Sequence, residues 1–412
     1  MSDISAHINN ARYSGTYNAL LHLSNIFIIS FLFAWLLIDS INGFLMRTAG
    51  IFFGGFSLGE VFRIVFLAAL LLNFKVSKRK GEIFFILMPF VFLTLAFVQY
   101  LLFSTNLIVT INIAIKVSMP ILIYLYIKIN YEIIRSYIRQ ILYFNALVLL
   151  GNLFISLFGF GYFSYAYQGG VRVGGKGFFF AGNQVGIVLL ALYAILIFMH
   201  KQELKKILII TFTFLVAALI TLTKTGIFGI ILIFVVSIFS FHKRKRVPVM
   251  GLFITSSILL ITIFHEYINI SISRWQYFIS TNGFWVYMTG GDKRWREAGE
   301  YLIDFENSPL LFFIGSGWTG LAEQDLFDLI GAFGIFGVTV YIIWIYFAAY
   351  AYKNNNLMAE KLYIIFIFFI FLFTATFAGH VVHSAMLAPF VGMLANAHLL
   401  KVKDKHKLFV SQ

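Results

Sequence analysis

This 412-residue chain contains no cysteine, only five prolines and few charged residues, which make up 12% of the total. The lack of cysteine excludes disulfides, iron–sulfur clusters and thiol catalysis. The scarcity of charge, together with a hydrophobic fraction of 60% that includes 50 phenylalanines, excludes an ordinary soluble globular domain. The chain is therefore predicted to be an integral membrane protein.

The apolar segments are long continuous runs, such as IILIFVVSIFSF and LYIIFIFFIFLF, without the alternation of a transmembrane β-strand. Only helices and closed barrels satisfy their backbone within a bilayer, so these runs predict an all-α, polytopic transmembrane helical bundle. Residues 1–412 are interpreted as one membrane domain without a removable signal peptide. About twelve spans are predicted, at 21–44, 52–74, 83–103, 107–127, 140–160, 184–199, 207–223, 226–241, 248–268, 326–352, 361–379 and 384–400.

The distribution of positive charge orients these spans. Of the 31 Lys and Arg residues, 21 lie in segments that the twelve spans place on one side, and short basic loops are typical of the cytoplasm. Both termini are therefore predicted to be cytoplasmic, and the net charge of +14 reflects topology rather than nucleic-acid binding. The periplasmic side receives two long loops, at 161–183 and 269–325. The second is too long for a plain connection and is expected to be functional and partly helical.

The first periplasmic loop contains YQGGVRVGGKGFFFAGNQVG, with six glycines within residues 169–182. Glycines let a backbone approach a ligand closely, and Arg172 and Lys176 supply positive charge, so a phosphate is the natural complement. The alternative is a flexible loop whose cations contact lipid headgroups. Lys224, in the tight turn TLTKTGIFG, would lie at or just below the same surface. It either serves a functional site or snorkels to the interface.

The second periplasmic loop contains GGDKRWREAGEYLIDFENSPLLFFIGSGW, residues 290–318. Its cations, Arg294 and Arg296 among them, precede a predicted helix that ends near Pro309. Glu323 and Asp325 then lead into the next span. The cations are predicted to hold a diphosphate while one carboxylate acts as general base toward a hydroxyl. The alternative is a salt-bridged, solvated loop.

Two histidines, His380 and His383, lie at the predicted turn between the last two spans. They could relay a proton, but no carboxylate or cysteine lies near them in sequence to complete a metal site, so no metal is predicted. The chain also lacks a nucleotide phosphate loop, a Rossmann fingerprint and H-E-x-x-H. A periplasmic enzyme has no nucleotide triphosphate available and must use an activated substrate, such as a sugar on a lipid diphosphate. No cofactor is expected.

Four segments in this order, RVGGKGFFFAGNQVG, TKTG, KRWREAGEYL followed by NSPLLFFIGSG, and LIGAFGIFGV, resemble the O-antigen polymerase and O-antigen ligase superfamily. Members of that superfamily are class C glycosyltransferases built as helical bundles, and the resemblance covers roughly residues 150–345. Gly182 and Asn183 match the end of the family's first loop. Gly315 and Gly317 match the Gly-x-Gly of its large loop. Lys224 stands where the family has arginine, which keeps the charge but loses the bidentate fork.

The resemblance favours a polymerase, because ligases carry a His-Asn pair where this chain has AEQDLFD. It implies an inner-membrane enzyme that transfers O-antigen, enterobacterial-type or capsular glycan from polyprenyl diphosphate to a second lipid-linked repeat unit at the periplasmic face. Glu323 or Asp325 would be the base, with His383 in reserve. The predicted diphosphate ligands are Arg172, Lys176, Lys224, Arg294 and Arg296.

The implied partners are the lipid-linked donor and acceptor, membrane lipids, a chain-length regulator and a flippase. Two alternatives remain open. One is a ligase that transfers the glycan to lipid A core or to protein. The other is a flippase or transporter of a lipid-linked oligosaccharide, which should carry charge near the bilayer midplane.

Overall fold

The computed structural model describes residues 2–51, 56–74, 82–166, 172–263, 265–288, 292–317, 322–379 and 381–400. Within these ranges the protein is almost entirely helical, and the prediction of an all-α helical membrane protein is confirmed at this level. The helices are α1 (Ser2–Phe44), α2 (Leu58–Phe74), α3 (Ile83–Phe103), α4 (Leu107–Ile129), α5 (Tyr131–Ile134), α6 (Ile138–Ser156), α7 (Gly182–Met199), α8 (Leu204–Thr221), α9 (Lys224–Phe241), α10 (Arg246–Ile263), α11 (His265–Asn282), α12 (Phe284–Met288), α13 (Asp292–Asn307), α14 (Pro309–Ile314), α15 (Asp325–Phe333), α16 (Ile335–Asn354), α17 (Met358–Ala378) and α18 (Ala388–Ala395).

Nine helices in the described part of the chain are long and apolar enough to cross a membrane. Three of the twelve predicted spans have no counterpart among these nine helices. Helix α2 has 17 residues, and the start of its predicted span, 52–55, lies outside the described residues. The predicted span at 248–268 is divided between α10 and α11. The last, at 384–400, contains only the eight-residue α18 and a 3₁₀ turn, Ala397–Leu400.

The predicted span at 384–400 is replaced by the short helix α18. The chain before it makes successive tight turns, with Ser384 N bonding Val381 O and Leu387 N bonding Ser384 O. Pro389 then lies in the first turn of α18, where its missing N–H is not needed. Every residue of α18 is buried, so a helix too short to span a bilayer is surrounded by protein.

The centre of the bundle is formed by α4, α7 and α18. Helix α4 is buried without interruption from Val117 to Ile127, and α7 from Val185 to Phe198. Helices that are apolar on all faces belong in such a core. Helix α18 lies so close to α4 that a Cβ on Gly392 would be 2.9 Å from Tyr124 N.

The predicted span at 326–352 is two helices, α15 and α16, separated at Gly334. Gly334 has a φ of +58°, which side chains rarely adopt, and a break in the helix leaves carbonyl groups without partners. Gln99 of α3 supplies one replacement, because its Nε2 donates to Ala332 O at 2.6 Å and also to Ile314 O at the end of α14.

A two-stranded hairpin stands at the predicted periplasmic end of the bundle. Strands β1 (Phe163–Ala166) and β2 (Arg172–Gly175) pair antiparallel, with Tyr165 opposite Val173. A Cβ on Gly174 would be 2.7 Å from Thr221 O at the end of α8. A Cβ on Gly177 would be 2.5 Å from Asn152 O of α6. Gly174 and Gly177 therefore let the first long loop pack directly onto helix ends.

Candidate active site

A buried carboxylate and a histidine form the best-defined polar contact at the predicted periplasmic end. Asp325 is the first residue of α15, and its side chain is 0% exposed. His383, in the turns before α18, is 11% exposed, and its Nδ1 lies 2.9 Å from Asp325 Oδ1. The turns that shorten the last predicted span thus bring the histidine to the carboxylate.

The other oxygen of Asp325 is also occupied. Asp325 Oδ2 accepts hydrogen bonds from Val381 N and Val382 N, both at 2.6 Å. The carboxylate also lies in the first turn of a helix, where negative charge is favoured. With three donors and no exposed surface, Asp325 cannot reach a substrate hydroxyl. The expectation that Asp325 itself is the base is at odds with this geometry, which suits a carboxylate that orients His383.

Glu323 and Arg294 form an ion pair next to this dyad. Arg294 of α13 bonds Glu323 through Nη2, and its Nη1 donates to Phe377 O of α17 at 3.4 Å. The Glu323 side chain is 45% exposed and that of Arg294 is 17% exposed. Glu323 has a φ of +49°, and Gly379 lies directly against its carbonyl. The predicted base Glu323 and the predicted phosphate ligand Arg294 therefore neutralise each other in this state.

The predicted cations of the first loop have different surroundings. Lys176 is buried and donates from Nζ to Phe180 O at 2.7 Å, and Arg47 donates to the same carbonyl at 3.1 Å. Removal from water, together with the nearby Arg47 guanidinium, lowers the pKa of Lys176 to about 8. Arg172 begins β2, but its side chain lies outside the described residues.

The N-terminus of α7 lies beside Lys176, and the N-terminus of α9 adjoins α7. Gly182 and Asn183 begin α7, and a Cβ on Gly182 would be 3.7 Å from Lys176 Cδ. Lys224 begins α9, where the Thr223 side chain accepts from Gly226 N as an N-cap. A Cβ on Gly186, one turn into α7, would be 2.6 Å from Thr223 Oγ1. Lys176 and Lys224 therefore lie at adjacent helix starts, where backbone N–H groups add positive potential.

The remaining predicted residues serve the local backbone or face outward. Gly315 and Gly317 have φ values of +75° and +74°. A Cβ on Gly315 would be 2.6 Å from Gly334 N, so this turn packs against the break between α15 and α16. Arg296 and Asn183 are exposed. His380 lies outside the described residues, and within those residues no group of three or more His, Asp or Glu side chains could hold a metal ion.

A charged cluster inside the bundle was not predicted from the sequence. Asp39 of α1 and Arg63 of α2 are both buried and form an ion pair near Lys116 of α4. The signal was present, because each of these residues interrupts an apolar run that was assigned to the membrane.

Comparisons of the chain with protein-family models, with curated proteins and with solved structures found no match.

Proposed function

We propose that this protein is a membrane glycosyltransferase that polymerises a glycan carried on polyprenyl diphosphate, with its active face in the periplasm of the inner membrane. The observation that supports the proposal most directly is the Asp325–His383 pair, with the Arg294–Glu323 pair two residues away along the chain. A base held by a buried carboxylate next to a displaceable cation provides what glycosyl transfer from a lipid diphosphate needs.

In this proposal His383 is the general base. The hydrogen bond from Nδ1 to Asp325 leaves the lone pair on Nε2, which takes the proton of the acceptor hydroxyl. The acceptor oxygen bonds to the anomeric carbon of the donor as the bond from that carbon to the diphosphate oxygen breaks. The electron pair departs with the polyprenyl diphosphate. Asp325 stabilises the imidazolium that forms and is not itself protonated.

The leaving diphosphate would be received by cations. An ion pair with a half-exposed partner is worth roughly 1 kcal/mol or less, so a doubly charged diphosphate can displace Glu323 from Arg294. Lys224, at the start of α9, and Lys176, beside the start of α7, would bind the second phosphate together with Arg172, and the exposed Arg296 would contact the incoming headgroup. The proposal thus assigns the base to His383 and makes Glu323 a counter-ion that keeps Arg294 in position.

The test uses the purified protein and a synthetic polyprenyl-diphosphate-linked repeat unit. A polymerase should convert it into a ladder of longer glycans and release polyprenyl diphosphate. Transfer of single units to an added lipid A core or protein acceptor, without a ladder, would identify a ligase instead. No consumption of the lipid-linked unit would refute the enzyme.

A second candidate is a transporter of lipid-linked oligosaccharide, and the buried Asp39–Arg63 pair with Lys116 nearby specifically favours it, because transporters carry charge inside the membrane. Proteoliposomes distinguish the two. A transporter would move a labelled lipid-linked unit between leaflets without changing its glycan, whereas the proposed polymerase would lengthen the glycan on one side.

A further inference from the structure

The charged cluster between α1, α2 and α4 contains two acidic and two basic side chains. Asp39 Oδ1 pairs with Arg63, while Lys116 lies within electrostatic range of Arg63, Glu60 and Asp39. Asp39 and Lys116 each lie roughly 14–15 Å along their helices from the nearer end of the span, at 1.5 Å per residue. Ionised groups at that depth are costly, and they persist where they have a function.

The cluster has one unused acceptor and one unused donor. Asp39 Oδ2 is buried and has no hydrogen-bond partner among the described residues. Lys116 is half-buried as a whole residue, and its ammonium makes no hydrogen bond or ion pair among the described residues. A buried carboxylate oxygen without a donor carries its full desolvation cost, so the position calls for a ligand that donates to Asp39 and accepts from Lys116.

The other polar groups near Asp39 and Lys116 already have hydrogen-bond partners. Glu60 accepts from Asn112 Nδ2 and, at 2.8 Å, from Ser57 N. Asn42 Oδ1 accepts from Gly59 N at 2.8 Å. Because the two acids cancel the two bases, the cluster offers no net positive charge to a phosphate. A neutral hydroxyl group, which donates once and accepts twice, matches the unused pair.

Asp39 and Lys116 also lie near the segment that carries His383. Trp35, one turn before Asp39 on the same face of α1, donates from Nε1 to Ala385 O at 3.1 Å. Lys116 is seven residues before Ile123, hence on the same stripe of α4, and Ile123 lies against Gly392 of α18. Asn396 Nδ2 bonds Tyr124 O at 3.0 Å, so α18 runs parallel to α4 and the turns before it lie toward Lys116.

We propose that Asp39 and Lys116 form a sugar-binding subsite that holds the acceptor saccharide through its ring hydroxyls, beside the histidine that activates one of them. This inference rests on the proposed glycosyltransferase function and names the part of the site that recognises the second substrate. Asp39 Oδ2 accepts from one hydroxyl and the Lys116 ammonium donates to a neighbouring one. Arg63 holds Asp39 in place. No covalent step occurs at this subsite.

The first test measures binding without catalysis. The full-length protein in lipid nanodiscs is exposed to a panel of methyl glycosides of hexoses, N-acetylhexosamines and 6-deoxyhexoses, and contact is read by saturation-transfer NMR. We expect at least one glycoside to bind, and K116M and D39N each to weaken it roughly tenfold, as loss of a charged hydrogen bond should. K128M is the matched control, because Lys128 lies on the same helix and pairs with Glu82 at 3.3 Å.

Folding is checked by the melting temperature in nanodiscs. K116M removes a cation that bonds nothing in the described residues and should melt at or above the wild-type temperature, while D39N gives a second, nearly isosteric variant if K116M fails to fold. Binding equal to wild type in the folded variant, or no binding of any glycoside by the wild-type protein, overturns the subsite. So does displacement by pyrophosphate alone, which would identify an anion site.

The second test separates this inference from the proposed function. Wild-type protein and K116M are compared in the polymerisation assay. K116M should have a roughly tenfold higher KM for the acceptor, while its kcat and its KM for the donor stay within about twofold of the wild-type values. A fall in kcat with the KM for the acceptor unchanged would contradict a binding role. If the wild-type protein forms no polymer but binds glycosides through Asp39 and Lys116, the function is wrong and the sugar site stands.

Discussion

For single residues, the surroundings of each ionisable group decide its role more than its type does. Glu323 and Asp325 look equivalent in sequence, two residues apart before an apolar run. In the structure one is half-exposed and paired with Arg294, whereas the other is buried under two backbone N–H groups and His383. The sequence identified the segment that contains Glu323 and Asp325. It did not show that Asp325 pairs with His383, 58 residues further along the chain.

Two variants test the Asp325–His383 pair. H383Q and D325N should each lower kcat by about 10²- to 10⁴-fold, because one removes the base and the other removes the charge that orients it. KM for both lipid-linked substrates should change little. E300Q, which alters an exposed carboxylate on α13, is the control and should retain activity. Full activity in D325N would contradict the orienting role.

The same carboxylate also predicts a stability effect. D325A would leave Val381 N and Val382 N buried without an acceptor, at roughly 1–3 kcal/mol for each group. E323A removes only a half-exposed pair and should cost about 1 kcal/mol or less. Melting temperatures in the same detergent should therefore fall for D325A and stay nearly constant for E323A. The opposite order would contradict the hydrogen-bond assignment.

The lowered pKa of Lys176 predicts that the KM for the donor depends on pH. Its pKa is lowered to about 8, so the ammonium is present at pH 7 and is lost as the pH rises through 8, well below the ordinary lysine range. If Lys176 binds the diphosphate, the KM for the donor should rise between pH 7 and 9. K176R, whose guanidinium stays protonated, should flatten that rise. Identical profiles for the two proteins would remove Lys176 from the phosphate site.

At the scale of elements, breaks in helices position the site. The apolar pattern predicted a continuous span at 326–352 and a full one at 384–400. Gly334 divides the first of these spans, and the turns before Pro389 shorten the second. Both features depend on contacts with neighbouring backbone that form only in the folded chain. Hydropathy averages over such breaks, which is why the sequence did not predict these interruptions.

A substitution at Gly379 tests whether close backbone packing positions the site. It has a φ of +65°, and a Cβ there would overlap the carbonyl of Glu323, so G379A should displace the segment that carries Glu323 and Asp325. We expect loss of polymerisation and a lower melting temperature. G299A is the matched control, since a Cβ on Gly299 of α13 meets nothing within 4 Å and alanine favours a helix by about 1 kcal/mol. Retained activity in G379A would mean that this contact does not position the site.

At the scale of the whole molecule, composition and charge predicted a helical membrane bundle, and the structure has nine helices suited to crossing a membrane within its described residues. The orientation of the bundle remains a prediction from the positive charges. The internal cluster of Asp39, Arg63 and Lys116 was not anticipated, since it depends on which faces of α1, α2 and α4 meet.

The absence of cysteine makes the orientation directly testable. Any introduced cysteine is the only one in the chain, so labelling by a membrane-impermeant maleimide reports one position. Ser104 and Ser280 are exposed, after α3 and on α11, and S104C and S280C should be labelled in intact cells. Q202C, in the turn between α7 and α8, should be labelled only after lysis. Labelling of Q202C in intact cells would invert the topology and place the site in the cytoplasm.

The central claim is that the chain transfers glycan from a lipid diphosphate with His383 as base, and the most direct measurement is the stoichiometry of that transfer. Purified wild-type protein is given the lipid-linked repeat unit, and released polyprenyl diphosphate is counted against new glycosidic bonds. We predict one lipid diphosphate for each bond in the wild-type protein and neither product above background in H383Q. Release without bond formation, bond formation without release, or an unchanged yield in H383Q would contradict the account.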